Sequence, residues 1–159
     1  MEPMADAEGR SVSFSVPEVR GKQRARTTRA RGTYTPAETR RAMELVRTEW
    51  LAATSGTGMP RPLFAAHEPV AVSVTTYRPL PAGRPARVAA EPDTYRPDLD
   101  NVAKLVLDAL DGLAWEDDAQ VTYLMVTKMA RRRGQGERVE VHVWPAPSDD
   151  EGEVAGDGE

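Results

Sequence analysis

Residues 96–120 read Arg-Pro-Asp-Leu-Asp-Asn-Val-Ala-Lys-Leu-Val-Leu-Asp-Ala-Leu-Asp-Gly-Leu-Ala-Trp-Glu-Asp-Asp-Ala-Gln, and this stretch decides the fold of the chain. Pro97 fixes its own φ and disfavours the α region for Arg96, so the chain arrives there extended. Apolar residues then recur at helical spacing, which predicts a helix that begins after Asp98 and ends at Gly112. Asp98 has the position of an N-cap, whose carboxylate accepts backbone N–H groups of the first turn.

Two acidic pairs flank this predicted helix, Asp98 with Asp100 before it and Asp117 with Asp118 after it. Residues two apart in a helix point about 200° apart, so the first pair can share a ligand only if Asp98 lies outside the helix. Three carboxylates about 5 Å apart would repel by roughly 3 kcal/mol per pair at an effective dielectric constant near 20. If Asp118 converges on the first pair, the cluster needs a divalent cation or raised pKa values. Oxygen ligands suit Mg²⁺ or Mn²⁺.

Each of these residues also has a purely structural interpretation, and the sequence alone does not decide between the two. Asp98 can be an ordinary N-cap, and Asp100 with Lys104 can be an i, i+4 surface ion pair of ~0.3–0.5 kcal/mol. The second acidic pair has the composition of a turn. Asp108 and Asp111, further along the helix, are interpreted as solvated side chains.

Four strands and a further helix are predicted around this stretch. The strands, at Ser11–Val16, Pro69–Tyr77, Gln120–Met129 and Arg138–Trp144, are indicated by alternating or β-branched apolar residues. The first helix is predicted to begin at Thr35-Pro36-Ala37-Glu38, with Thr35 as its N-cap, and to end at Ser55-Gly56-Thr57-Gly58.

The connections complete the predicted architecture. The last two strands are expected to pair as a hairpin across the basic turn Arg131–Gly136. Pro17–Tyr34 is expected to be a loop, and Arg78–Tyr95 a mobile loop that delivers the chain to Asp98. The order β-α-β-α-β-β predicts an α+β fold, a mixed sheet with two helices on one face.

Length and composition limit the class of protein. The 159 residues fit one domain, expected at 11–145, with a disordered N-terminus at 1–10 and a disordered acidic tail at 146–159. The absence of cysteine excludes disulfides and cysteine-based zinc sites. No apolar run is long enough for a membrane span or a signal peptide, so a cytoplasmic protein without membrane association is expected.

Charge is segregated along the chain. The net charge is −4, and because residues 146–159 contribute −6, residues 1–145 carry +2. The stretch 17–34 has a local charge of +5 from six basic residues and one glutamate. This pattern predicts a polyanion-binding basic arm ahead of the domain core. Carboxylate-held Mg²⁺ beside a basic surface favours phosphodiester hydrolysis.

Taken together, these motifs resemble the RusA family of Holliday-junction resolvases of bacteria and their phages. Residues 96–104 resemble that family's [R/K]-x-D-L-D-N-L-x-K signature, and residues 115–121 its second motif, D-D-A-Q-[V/I]. Residues 126–129 resemble the lysine-bearing strand that follows. Residues 16–26 are similar to the family's N-terminal proline and K-x-R-x-R segment, more loosely. The resemblance spans about residues 11–145.

The resemblance implies a homodimeric, Mg²⁺-dependent endonuclease that nicks four-way DNA junctions symmetrically during recombination and repair, with Mn²⁺ expected to substitute. It implies no small-molecule cofactor. Asp98, Asp100 and Asp118 would be the metal-binding catalytic carboxylates, and Lys104 would face the scissile phosphate. The residues expected to bind the DNA backbone are Lys22, Arg24, Arg26, Arg29, Arg31, Lys128, Arg131, Arg132 and Arg133.

Two other functions fit part of the pattern. A non-catalytic branched-DNA-binding protein that keeps the fold would bind junctions without cutting them, but it would not need all three aspartates and Lys104. A glycosyltransferase that binds a nucleotide diphosphate through Asp-Leu-Asp is disfavoured by the basic arm and the second acidic motif.

Overall fold

The protein is described here by a computed structural model of residues 9–147. Its strands are β1 (Val12–Val16), β2 (Arg26–Thr28), β3 (Gly32–Tyr34), β4 (Val70–Tyr77), β5 (Ala90–Glu91), β6 (Val121–Lys128), β7 (Arg131–Arg132) and β8 (Arg138–Pro145). Its α-helices are α1 (Ala37–Thr54) and α2 (Leu99–Leu110), and Asp118–Gln120 forms a 3₁₀ turn. Within residues 9–147, neither helix combines the length and the apolar composition of a membrane span. Most residues of the two expected disordered ends lie outside this range.

The main sheet has the strand order β1-β8-β4-β6. Strand β8 is antiparallel to both β1 and β4, whereas β6 is parallel to β4. The predicted α+β fold with a mixed sheet and two helices is confirmed. The predicted hairpin between the last two strands is wrong, because β4 lies between them. Parallel strands need a crossover connection, and α2 supplies it by carrying the chain from β4 to β6.

The two helices pack against one face of this sheet, as predicted. Helix α1 contacts β1 and α2, and Trp50 of α1 meets Phe14 edge to face with ring centroids 6.1 Å apart. The inward valines of β1, β4 and β8 are buried against the helices. The opposite face is polar and open, with Ser13, Ser15, Ser73, Thr75, Glu140 and His142 along it. The core therefore lies on one side of the sheet only.

Two segments predicted as loops contain short strands. In the basic segment, β2 and β3 pair antiparallel as a hairpin. In residues 78–95, β5 pairs with β7, and the Arg78 guanidinium donates two hydrogen bonds to the Asp93 carboxylate at 2.5 and 2.9 Å. A local hairpin therefore orders part of the basic segment, whereas pairing with the distant β7 orders residues 90–91. The proline and alanine content of residues 78–95 does not predict this second pairing.

The positions of the helix ends follow the predictions closely, but neither predicted side-chain cap forms. Gly112 has a φ of +82°, as expected of the residue just after the end of α2. Asp98 occupies the N-cap position of α2, but its carboxylate makes no capping hydrogen bond, so the predicted side-chain cap is wrong. The N-cap predicted for α1 is wrong by one residue, because the extended Pro36 precedes Ala37 and no side chain caps the helix.

Candidate metal and nuclease site

The start of α2 presents three charged side chains. Asp98 is extended (φ −67°, ψ 146°) and makes no capping hydrogen bond, whereas Asp100 lies in the first turn of the helix. Lys104 follows one turn later. Within residues 9–147, none of the three forms a hydrogen bond or an ion pair through its side chain, so the alternative Asp100–Lys104 ion pair is absent. All three are exposed and available to a ligand.

These three residues line two different recesses. Asp100 and Lys104 lie along a groove between α2 and β6, whose walls are mostly apolar and whose other end holds Asp118. Asp98 lines a separate recess between the basic segment and the start of α2, beside Arg20 and Arg96. The structure therefore places Asp100 and Asp118 along one groove, and Asp98 in the separate recess beside the basic segment.

The chain folds back immediately after α2, and this turn brings Asp118 towards the helix. The Gly112 N–H donates to the Trp115 carbonyl oxygen at 2.7 Å. The Phe64 N–H donates to the Ala114 carbonyl oxygen at 2.9 Å, which ties the turn to a preceding segment of the chain. Trp115 is fully buried and fixes the turn in the core. Asp118 therefore lies near the C-terminal end of α2, not near its start.

Gln120 of the second motif holds this region in place. Its side-chain amide donates to the carbonyl oxygens of Ala65 and Glu68 at 2.7 and 3.2 Å. Its side-chain oxygen accepts the backbone N–H groups of Glu116 and Asp117. The Asp117 carboxylate accepts the Ala119 N–H at 2.9 Å, so Asp117 caps the 3₁₀ turn. Asp117 thus has a structural role, one of the two considered for it.

Asp118 forms a close carboxylate trio with Asp108 and Asp111. One oxygen from each group lies within 4.8 Å of the others, and no other three acidic or histidine residues within residues 9–147 come as close. The interpretation of Asp108 and Asp111 as solvated residues is incomplete: Asp111 is exposed, but both side chains have partners. Asp108 forms an ion pair with Lys22, and Asp111 accepts a hydrogen bond from the Trp115 indole at 2.8 Å.

The sequence contains a signal for this trio that periodicity analysis overlooked. Asp100, Lys104, Asp108 and Asp111 are spaced by four, four and three residues, which places them on one face of α2. The eight residues from Asp100 to Asp108 advance about 12 Å along the helix axis. Asp100 and the carboxylate trio are therefore on the same face but too far apart to share one ion.

Burial, and after it the charges of neighbouring carboxylates, raises the pKa values of two members of the trio. The pKa of Asp118 is raised, first by desolvation and then by repulsion from Asp111. The pKa of Asp111 is also raised, with desolvation again the largest cause. The hydrogen bond from Trp115 opposes that increase, and the charges of Asp108 and Asp117 add to it. A group of carboxylates with raised pKa values favours the approach of a cation.

The donor set of the trio fits a hard divalent cation. It offers only carboxylate oxygens, which Mg²⁺ and Mn²⁺ prefer, and it has no thiol or imidazole ligand that would favour zinc. The exposure of Asp111 and Asp118 leaves room for water or a phosphate oxygen to complete the coordination. Asp118 thus belongs both to the trio and to the ligand set implied by the sequence motifs.

The predicted DNA-binding residues divide into free and engaged groups. Arg24, Arg26 and Arg29 are exposed around the β2–β3 hairpin and, within residues 9–147, have no ion-pair partner. Arg31 lies 5.1 Å from the centroid of the Tyr34 ring. Lys22 is engaged with Asp108. The hairpin therefore presents most of the arm's charge to solvent.

The second basic group, around β7, is partly internal. Arg131 is only 8% exposed, pairs with Glu91 and stacks on Tyr95 at 4.0 Å from its ring centroid, which argues against the predicted phosphate contact. Arg133 donates to the carbonyl oxygens of Pro85 and Val88. Lys128 donates to the Tyr95 carbonyl oxygen at 2.5 Å. Arg132 is exposed.

Comparison with known proteins shows the family of the chain. Residues 17–144 match the family model described as endodeoxyribonuclease RusA. The chain is also similar to the uncharacterized protein YqaN of Bacillus subtilis (strain 168), with 40% identity over 68 residues, or 38% of this chain and 48% of that protein. The match thus spans about half the length of that relative. Because the family model covers both acidic motifs, the basic arm and most of the main sheet, the chain belongs to the RusA endodeoxyribonuclease family, a family of nucleases.

Proposed function

We propose that this protein is a Mg²⁺-dependent endonuclease that resolves four-way DNA junctions by paired symmetric nicks during recombination and repair. The observation that supports this most directly is the position of Asp118. It joins a carboxylate trio suited to Mg²⁺ at one end of a groove whose other end holds the free side chains of Asp100 and Lys104. A junction in the DNA of a bacterium or phage is the proposed substrate, and the cytoplasm is the proposed location.

Asp118 belongs to both of the ligand groups that are proposed for the metal. The sequence motifs group it with Asp98 and Asp100, whereas the tertiary structure groups it with Asp108 and Asp111. When bound, a divalent cation supplies an activated water and stabilises the negative charge that develops on the phosphate. Mn²⁺ is expected to replace Mg²⁺, because both accept oxygen ligands.

Lys104 is proposed to contact the scissile phosphate. Its ammonium group is exposed, has no ion-pair partner within residues 9–147, and lies along the groove between Asp100 and Asp118. A cation in this position would offset the repulsion between the phosphodiester and the surrounding carboxylates and would orient the phosphate for attack. Asp98 and Asp100 are proposed to act on the same substrate from the start of the helix.

The β2–β3 hairpin is proposed to hold the DNA backbone. Its three unpaired arginines, Arg24, Arg26 and Arg29, can each neutralise one phosphate, so binding is expected to weaken steeply as salt is raised. Arg31, Arg132 and Lys128 are proposed to extend this contact surface.

A homodimer is proposed because paired nicks need two active sites on one junction. Strand β6 forms an edge of the main sheet, and its central residues Tyr123, Leu124 and Met125 are 43–45% exposed. An edge strand presents unpaired N–H and C=O groups, so an exposed apolar edge strand of eight residues is a surface to which another chain can pair. A second copy of this chain is the proposed partner.

The test is the cleavage of a labelled synthetic four-way junction beside a linear duplex of matching sequence. Wild type and Asp100→Asn are incubated with Mg²⁺ or with EDTA. Symmetric nicks are expected only in the junction, only with Mg²⁺, and only in wild type. Junction binding without cleavage under any divalent metal would support the non-catalytic DNA-binding alternative, and absence of both binding and cleavage would contradict the proposed substrate.

A further inference from the structure

The backbone of Tyr95, which lies shortly before Asp98 in the chain, is held from two sides. Its N–H donates to the Asp93 carboxylate at 3.4 Å. Its carbonyl oxygen accepts hydrogen bonds from the Lys128 ammonium at 2.5 Å and from the Arg78 guanidinium at 3.4 Å. Arg78 also forms an ion pair with Asp93, so the groups that hold Tyr95 hold one another. The backbone of Tyr95 is therefore fixed by the ends of two strands, β4 and β6.

The side chain of Tyr95 is held as well. The Arg131 guanidinium lies 4.0 Å from the centroid of its ring, and the Arg84 guanidinium donates to its hydroxyl oxygen at 3.0 Å. Glu91 accepts hydrogen bonds from both of these arginines, at distances from 2.5 to 3.2 Å. These hydrogen bonds, first those of Arg84, lower the pKa of Glu91, so its carboxylate stays ionised and holds both guanidinium groups. The ring is thus fixed although 46% of Tyr95 is exposed.

The position of Asp98 depends on its backbone. In the part of the chain that the structure describes, its carboxylate accepts no hydrogen bond, so no side-chain contact fixes it. Only Arg96 and Pro97 separate it from Tyr95. The proline ring fixes the φ of Pro97 and restricts the backbone of Arg96, so this link has little freedom. Gly21 packs against the same link, because an added Cβ would lie 2.9 Å from the Pro97 Cβ.

We infer that Tyr95 is a positioning residue of the proposed nuclease, because its contacts fix where α2 begins and thereby where Asp98 and Asp100 lie. This inference rests on the proposed function. Arg131, which the sequence groups with the phosphate-binding residues, acts instead through the ring of Tyr95. The contacting residues form a tyrosine clamp, which consists of Arg78, Arg84, Glu91, Asp93, Lys128 and Arg131 around Tyr95.

The inference predicts slower cleavage with unchanged DNA binding. Tyr95→Leu removes both the ring contact and the hydroxyl, and Arg131→Met removes the guanidinium beside the ring. Because a displacement of about 1 Å can cost roughly 100-fold in rate, each variant is expected to nick a bound junction about 10- to 100-fold more slowly than wild type. The junction affinity of each variant is expected to stay close to that of wild type. Tyr95→Phe keeps the ring beside Arg131 and is expected to restore most of the rate.

The first measurement is the single-turnover nicking of a labelled four-way junction by the full chain with Mg²⁺. The affinity for the same junction is measured separately in EDTA. Arg87→Met is the matched control, because Arg87 is an exposed arginine of the same segment and, among the described residues, has no hydrogen bond or ion pair with the tyrosine clamp. It is expected to cleave and bind like the wild type.

The second measurement is the hydrogen exchange of backbone amides by NMR, which needs no substrate. The N–H groups of Asn101 and Val102 both donate to the Asp98 carbonyl oxygen at 3.1 Å and so report on the start of α2. Their exchange is expected to be about tenfold faster in Tyr95→Leu and Arg131→Met, because the first turn opens more often. The N–H of Ala114, which donates to the Leu110 carbonyl oxygen after the other end of the helix, is expected to be unchanged.

Two results would overturn the inference and leave the proposed function standing. The first is unchanged exchange at Asn101 and Val102 in Tyr95→Leu and Arg131→Met, or an equal rise at Ala114, which would mean that the clamp does not hold the start of α2 in particular. The second is an unchanged nicking rate, or a loss of junction affinity in its place, which would mean that Tyr95 does not position the aspartates.

Failure of the proposed function gives a different result. If the wild type nicks no junction, the proposed function is contradicted, and the catalytic part of the inference fails with it. The exchange at Asn101 and Val102 still decides whether Tyr95 holds the start of the helix, because that measurement requires no cleavage.

Discussion

Asp108 and Asp118 bring carboxylate oxygens within 4.8 Å of each other, although the end of α2 and a complete turn lie between them in the chain. The turn is closed by the Gly112–Trp115 hydrogen bond, and Gln120 fixes its far end. The position of Asp118 is therefore determined by interactions that do not involve its own side chain. Substitutions of the aspartates can consequently change metal binding without changing the fold.

Variants of five aspartates will show which of them bind the metal. Asp118→Asn is expected to reduce Mg²⁺-dependent nicking by at least about 100-fold, since losing even an outer partner of a ligand costs about 10–100-fold. If the trio holds the ion, Asp108→Asn and Asp111→Asn will weaken Mg²⁺ binding without DNA. Asp98→Asn and Asp100→Asn will then affect only cleavage.

The measurements are isothermal titration with Mg²⁺ and the rate of junction nicking. Glu116→Gln is the matched control, because Glu116 is exposed and carries the neighbouring acidic charge without belonging to the trio. Loss of Mg²⁺ binding in Asp98→Asn and Asp100→Asn, with Asp108→Asn and Asp111→Asn unaffected, would assign the ion to the start of α2 instead.

The raised pKa of Asp111 predicts a pH-dependent effect on stability. A carboxyl group whose folded pKa is raised disfavours the folded state once pH exceeds that pKa, and the penalty disappears as pH falls through it. Asp111→Asn removes the charge and keeps an oxygen that can accept the Trp115 hydrogen bond. Without metal, it should raise the melting temperature at pH 7 by roughly 1–2 °C.

Melting curves of wild type and Asp111→Asn from pH 7 downwards test this prediction. The difference between them should shrink as pH falls and Asp111 becomes protonated in the wild type. With saturating Mg²⁺ at pH 7 the order should reverse, because only the wild type keeps all three carboxylates. A constant difference at every pH would mean that the effect of the substitution is unrelated to charge.

The ion pair of Arg78 and Asp93 is expected to stabilise the segment before α2. Burial raises the pKa of Asp93, but the hydrogen bonds and the charge of Arg78 outweigh it, so the pKa is lowered overall. The pair thus stabilises the wild type above the unfolded pKa of Asp93, and this contribution is lost as pH falls through the folded value. Arg78→Met leaves a carboxylate whose side chain is 1% exposed without its partner, at a cost of about 3 kcal/mol.

Removal of Arg78 should also reverse the direction of the pH effect at Asp93. With burial then dominant, the pKa of Asp93 is raised, and Arg78→Met should recover part of its lost stability on mild acidification. Urea unfolding at several pH values measures this change. Arg87→Met, at an exposed residue of the same segment, is the control and should resemble the wild type. An equal loss of stability at all pH values would contradict this account.

Gly21→Ala is expected to displace the basic arm from α2. The new methyl group would lie 2.9 Å from the Pro97 Cβ, which is closer than real Cβ atoms approach one another. The expected cost is about 1–3 kcal/mol, together with loss of the Lys22–Asp108 ion pair. Gly83→Ala is the matched control, because its Cβ would meet nothing within 4 Å. Thermal unfolding compares them, and similar values for both variants would show that the arm is not docked this way.

The exposed edge strand predicts the interface of the proposed dimer. Leu124→Lys places a charge at the centre of β6, in a side chain that is 43% exposed and lines the groove beside α2. If β6 pairs with a second copy, the variant should be monomeric by light scattering, and the wild type dimeric. Met129→Lys, at a residue 39% exposed just beyond β6, is the control and should remain dimeric. A dimeric Leu124→Lys would place the interface elsewhere.

Local sequence was sufficient to predict α2 and its immediate surroundings. Pro97, the apolar period and Gly112 act through backbone sterics and side-chain spacing within a few residues, and the structure places the helix between them. The alternating strands and the α+β class follow from the same local patterns. The family could be identified from the same stretch, because both acidic motifs are contiguous in sequence.

The tertiary structure alone decided strand order and the composition of the carboxylate trio. The alternating pattern of the last strand is compatible with pairing beside β6 and with a position between β1 and β4. The structure has the second arrangement, in which the crossover through α2 places β6 on the other side of β4. Asp108 and Asp111 look like solvated helix residues in the sequence. A buried tryptophan, and a glutamine bonded to a loop 52 to 55 residues away in the chain, bring Asp118 against them. Local patterns determine which elements form, whereas contacts between residues distant in sequence determine which charges meet.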